Sequence, residues 1–201
     1  LVGVNAIHIG SDLNVGHAGV SNGGIAQSFG TLQLSNSNSL IIGSELGVGH
    51  IRSSIGTGHA IATGMAAIAD IGVIQIADGL LVGRNFVEDN VIGDASGTLT
   101  MDRIGSVDVG GDFDVGQTGV SSLLANATGQ ATGSGSARIR DVAGQFAVAG
   151  DIDVGQTSAV AGATATGDGN LVMERIGSLS VVGDLDVGQT GSLGTPFGVG
   201  S

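Results

Sequence analysis

The chain has no cysteine, tryptophan or tyrosine, and a single proline in 201 residues. Its six fixed cations are all arginine, at positions 52, 84, 103, 138, 140 and 175, so lysine is missing too. Without cysteine there is no disulfide framework, although that alone does not fix the compartment. With a net charge of −12 and no basic stripe, nothing can neutralise a run of phosphates, and nucleic acid is excluded as a partner. An anionic membrane surface would repel the chain for the same reason. No apolar run is long enough to span a bilayer, since the most apolar region, 60–77, is broken by Gly64, Asp70, Gly72 and Gln75. No direct membrane insertion is expected.

What is abundant is glycine, 39 residues, alongside a hydrophobic fraction of 41% that is too high for a disordered tail. The glycines keep no three-residue period, so collagen is excluded. The apolar residues are mostly Val, Ile, Leu and Ala, which build strands, with glycine as punctuation between them.

The stretch GGDFDVGQTG, from Gly110, has relatives in the same chain: GDIDVGQT from Gly150 and GDLDVGQT from Gly183. Diverged copies read GSDLNVGH from Gly10, GSELGVGH from Gly43 and ADGLLVGRN from Ala77. The Val-Gly marker falls at Val15, Val48, Val82, Val115, Val154 and Val187, at spacings of 33, 34, 33, 39 and 33. Such a period is the signature of a stacked repeat. Within one copy Leu99/Met101, Val107/Val109 and Phe113/Val115 are each two apart, the strand period, with corners at DRIG and GG between the pairs. Each unit therefore predicts three short strands, followed by an Ala/Gly/Ser/Thr side loop such as 119–134 or 158–168. Strands this short bury nothing alone, but stacked coils continue each apolar ladder along an axis. The expectation is an all-β fold, a right-handed parallel β-helix of about six coils of ~33 residues with side loops. Residues 1–201 form one solenoid segment, expected to belong to a longer chain or fibre because Leu1 enters partway through a repeat. The stretch 60–70 is Ala-rich, and its pattern also suits a helix.

The VGGDLxVGxTG and GxLxM/V units resemble the β-solenoid repeats of bacterial autotransporter passengers and PEP-CTERM-type exported matrix proteins. That resemblance implies a structural or adhesive extracellular protein at the cell surface, in a fibre, stalk or matrix. Extracellular polysaccharide is one partner that follows from it.

The residues offer several candidate sites. Asp112, Asp114, Asp151, Asp153, Asp184 and Asp186 form three pairs that alternate with inward-facing Phe113 and Val115, and are therefore expected outside. Stacked carboxylates suggest calcium or plain solubilising charge; neither an RTX nonapeptide nor an EF-hand loop is present. Because the ladder repeats, replacing any one aspartate is expected to matter little. Asp102–Arg103, Arg140–Asp141 and Glu174–Arg175 share a corner and read as an ion-pair ladder. His17, His50, Arg84, Gln117, Gln156 and Gln189 share the next file, expected to be an exposed polar ladder with too few ligands for a metal. Gly19-Val20-Ser21-Asn22-Gly23 matches G-x-S-x-G, but a nucleophile elbow needs a following helix. Asn126-Ala127-Thr128 is a formal glycosylation sequon. Thr118, Thr157 and Thr190 form one file, a poor ice template. No singular catalytic constellation stands out, so the chain is expected not to be an enzyme. A ligand-binding solenoid for calcium or ice is the alternative. A carbohydrate-active β-helix enzyme ranks lower, because it needs unique carboxylates and usually aromatic sugar platforms. Head-to-tail and lateral self-association are expected from apolar coil ends and from the side loops.

Overall fold

A computed structural model of the chain describes residues 3–21, 23–122, 128–160 and 162–192. Two short strands, β1 (Ala6–Ile9) and β2 (Leu13–Ala18), are followed by the full coils. The first holds β3 (Ile25–Ile42) and β4 (Leu46–Ser54). The second holds β5 (Thr57–Ile76), β6 (Leu80–Val82) and β7 (Asn85–Glu88). The third holds β8 (Asn90–Val109), β9 (Phe113–Val115) and β10 (Thr118–Ser121). Then come β11 (Gln130–Val148), β12 (Ile152–Val154) and β13 (Thr157–Ala159), and finally β14 (Thr164–Val181), β15 (Leu185–Val187) and β16 (Thr190–Ser192). Every pairing is parallel and joins one coil to the next: Met101 lies between Ile68 and Ile139, and Val115 between Val82 and Val154. The parallel β-helix expected from the repeat is what the chain forms. It makes about five full turns rather than six, because β1 and β2 supply only part of a coil. The Ala-rich 60–70 stretch is strand, inside β5. Among the described residues there is no helix, and none that could cross a membrane.

Each coil is one long strand facing two short ones, which run together as β4 in the first coil. The two expected strands on either side of DRIG run together as β8, bent where Arg103 takes φ +54°. Asn36, Asp70, Asp141 and Arg175 repeat that left-handed residue in the other coils. One such residue changes the parity of alternation, which lets Met101 and Ile104 both face inward at a spacing of three. As expected, Leu99, Met101, Val107, Val109, Phe113 and Val115 are all buried.

The Ala/Gly/Ser/Thr segments are not side loops. They form β7, β10 and β13 and the first halves of the long strands, and they enclose a second core. The larger core takes Ile68, Ile74, Leu99, Val107, Phe113 and Phe146; the smaller takes Ile51, Ala60, Ala62, Val91, Val120 and Ala131. Only the six-residue excess of the 39 spacing is a candidate projection, and most of it, like Asn126 of the sequon, lies outside the described residues.

Between the cores the coil narrows to a waist made of glycine. Gly116 turns the chain at φ +70° between β9 and β10, and Gly49, Gly83 and Gly155 do the same in their coils. Opposite sits a long-strand glycine. A methyl group on Gly135 would lie 2.3 Å from both Gly116 N and Val82 O, and one on Gly97 would lie 2.2 Å from Val48 O. Real side chains never approach backbone that closely, so the two walls touch only because neither carries a Cβ. This is the physical content of the Val-Gly marker.

Candidate functional site: a re-entrant polar groove

The glycine elbow folds the outer surface of the short-strand wall inward, and polar residues on either side of it meet. Arg84 Nε lies 3.0 Å from Asp114 Oδ2 and donates to Gln117 Oε1 at 3.1 Å. Gln117 Nε2 donates to Asp153 Oδ2 at 2.9 Å and to Gln156 Oε1 at 2.8 Å, and Gln156 donates to Gln189 Oε1 at 3.2 Å. The file of position 117 is thus an amide ladder of the kind that stabilises stacked strands. It was expected to be exposed, yet Gln117 is buried and His50 is only 2% exposed. His50 stacks on His17 with ring centroids 4.5 Å apart, in space left by Gly47, whose added methyl would strike the His50 ring.

The six aspartates divide into two kinds. Asp112 is exposed, as expected, and is architectural: its Oδ1 accepts the N–H of Asp151 at 3.0 Å, and Asp151 Oδ1 accepts that of Asp184 at 2.7 Å. Asp12 does the same for Glu45. The second member was expected outside as well, but Asp114 is only 2% exposed and Asp153 6%. Alternation places them on the outer side of their strands correctly. What it does not reveal is that this outer side is closed over at the elbow. Asp186 is half-buried.

Burial drives the Asp114 carboxyl up to about 7, against the pull of Arg84 and with repulsion from Asp153, Asp112 and Glu45 adding to it. Burial also raises Asp153, with Asp151, Asp186 and Asp112 contributing. Burial lowers His50 to about 3, and His17, Arg84 and Arg52 push the same way. Asp114 Oδ1, Asp153 Oδ1 and His50 Nδ1 are buried without a hydrogen-bond partner. Between the unfolded-state value of 3.8 and about 7, the folded chain holds a proton on Asp114 that the unfolded chain has released. Stability from this group falls as pH rises through that window. His50 acts oppositely between about 3 and 6.5, where only the unfolded chain is protonated, so its contribution falls as pH drops. The two slopes oppose each other over their shared range. A flat stability profile is expected across mildly acidic pH. His50→Gln should convert it into a steady decline toward neutrality, read from urea midpoints at half-unit pH steps. An unchanged flat profile would refute the pairing of these two groups.

The corner ladder is present as expected. Arg103 grips Asp70 (Nε–Oδ1 2.6 Å) and touches Asp102, Arg140 lies 3.5 Å from Asp102, and Arg175 Nη2 donates to Asp141 at 2.8 Å. Arg138 pairs with Glu174 at 3.1 Å. These contacts hold Asp70 and Asp141 below the ordinary carboxylate range. They lie on the surface, where such pairs contribute little.

The remaining motifs place nothing catalytic together. Ser21 is exposed and bridges to Ile55, and the chain continues into β3 instead of a helix. Thr118 is buried against Gly133 and Thr157 half-buried, so this file is no ice-facing array; of the Thr190 side chain nothing is described. His59 meets Asp94 at 2.8 Å, without a third member. Among the described residues no three His, Asp or Glu side chains are grouped closely enough to hold a metal ion. Comparison with family models, with curated proteins and with solved structures finds no match.

Proposed function

We propose that the chain is a structural module of an extracellular rod, fibre or matrix, adhesive through its long sides, and not an enzyme. The observation that carries this reading is the use to which its polar groups are put. Aspartate to N–H, amide to amide and arginine to aspartate, they join one coil to the next. Chemistry spent on stacking, at the same position in successive coils, suits a mechanical element. An enzyme would concentrate different groups at one place. Antibodies against the chain, applied to intact cells of the source organism, are expected to label surface fibres or matrix. Labelling that requires permeabilised cells would refute the extracellular assignment.

A second reading, cation binding, is favoured by one observation: the buried, unpartnered Oδ1 atoms of Asp114 and Asp153. Calcium binds carboxylate oxygens. One oxygen each of Asp112 and Asp151 is engaged by an N–H group and Arg84 stands on Asp114, so any ion would centre on Asp153 and Asp186. Isothermal titration with calcium tests it, and a silent titration at millimolar calcium would end this reading.

A further inference from the structure

The face formed by β14, β15 and β16 is built like an interior and left open among the described residues. Leu185 is 59% and Val187 72% exposed, whereas Ile152 and Val154, one coil below, are buried. With Leu171 and Met173 they line an apolar hollow. The polar groups at the rim are also one-sided. Asp184 gives its N–H to Asp151, but its own carboxylate accepts no N–H from any described residue. Gln189 accepts from Gln156, and its amide nitrogen has no described acceptor.

At the opposite end, β1 and β2 present the other half of each of these contacts. By the register carried from coil to coil, Ile7 stands in the file of Leu179 and Leu13 in that of Leu185. Asp12, Asn14 and His17 stand in those of Asp184, Asp186 and Gln189. We propose that the open face receives the first coil, residues 6–18, of a second copy of this chain in the same parallel register. Leu13 then covers Leu185 and Val15 covers Val187. The Asp12 N–H meets the Asp184 carboxylate as the Asp184 N–H meets Asp151. The Asn14 amide reaches Asp186, and His17 continues the ladder above Gln189. Each unpaired backbone group of β15 gains a strand partner at ~4.8 Å. The contact joins two different faces and does not close on itself, so it propagates as a filament. This inference rests on the rod reading above and specifies the rod's joint.

The test uses the full chain and two variants, Leu185→Arg on one face and Leu13→Arg on the other. Ile9→Arg replaces the second if its circular dichroism departs from the wild-type β spectrum. In sedimentation velocity the wild type is expected to grow in mass with concentration. Each variant alone should associate about tenfold or more weakly. An equimolar mixture should give dimers and nothing larger, because each partner contributes its one intact face. If both variants still form rods, this joint is wrong and the fibre reading stands on some other contact. A wild type that stays monomeric at every concentration overturns the joint and leaves surface labelling to decide the fibre reading. A mixture without dimers overturns it too.

Discussion

Gly135→Ala is expected to destabilise the rod strongly, by on the order of 3 kcal/mol or more. For a chain of this size that corresponds to a fall in melting temperature of roughly 6–12 °C. Gly135 does not have a left-handed φ, so the conformational preference of alanine is not the cause. The cause is contact: the new methyl would lie 2.3 Å from Gly116 N and Val82 O, and both are backbone atoms held in ladders by the coils beside them. A flexible side chain could rotate away, but a paired strand cannot. Relief requires the two walls to separate at the waist, which loosens both cores together. The control is Gly10→Ala, where an added methyl meets nothing within 4 Å and φ is ordinary. It should change stability by no more than about 0.5 kcal/mol. Thermal unfolding of both variants by circular dichroism decides the matter. If Gly135→Ala melts within about 2 °C of the wild type, the waist is more pliable than its geometry implies.

The second large effect has the opposite sign. Asp114→Asn should stabilise the chain above pH 7 and leave it nearly unchanged near pH 3.8. In the folded state ionising Asp114 is held off to about pH 7, so at higher pH its charge is carried at a cost the unfolded chain does not bear. A shift of about three units corresponds to on the order of 4 kcal/mol, already net of the attraction to Arg84. A net gain of roughly 2 kcal/mol is expected, because the asparagine amide is itself a polar group that burial leaves incompletely hydrogen-bonded. The chain uses asparagine in this file itself, at Asn14. Urea midpoints at pH 8 and pH 4 test the claim. Equal effects at the two pH values would show that charge burial is not the reason. Asp114 is thus expected to depart from the small effect anticipated for replacing any one aspartate of the ladder.

The architecture was legible because its signals are short-range and repeated. Pairs such as Val107/Val109 carry the strand period, and six Val-Gly markers carry the coil period. The corner was legible too, since DRIG interrupts that period in the same place each time. The waist was not. GTLTM, GSARI and GNLVM begin with glycine at matching positions, yet nothing in one segment says that Gly135 faces Gly116. Only closing the coil brings them together. Asp114 was misplaced for the same reason. Alternation tells which side of a strand a residue takes, and whether that side is open depends on a left-handed turn two residues later, at Gly116. The Ala- and Ser-rich segments were read as loops because their small residues make a weak apolar signal, though the small size is what fits them to the narrower core.

The corner residues follow an order with a consequence for how such a chain can change length. Going up the rod, the left-handed position reads Asp70, Arg103, Asp141, Arg175, and each arginine clasps the aspartate one coil below. The sequence repeats every coil, but the charge repeats every two. A genetic deletion that removed one coil would set Asp141 directly on Asp70, two carboxylates in adjacent rungs. Removing two would set Arg175 on Asp70 and restore the clasp. At this corner the unit that recombination can add or drop without discord is therefore a pair of repeats, and lineages carrying this ladder should differ in length by about 66 to 72 residues more readily than by half of that.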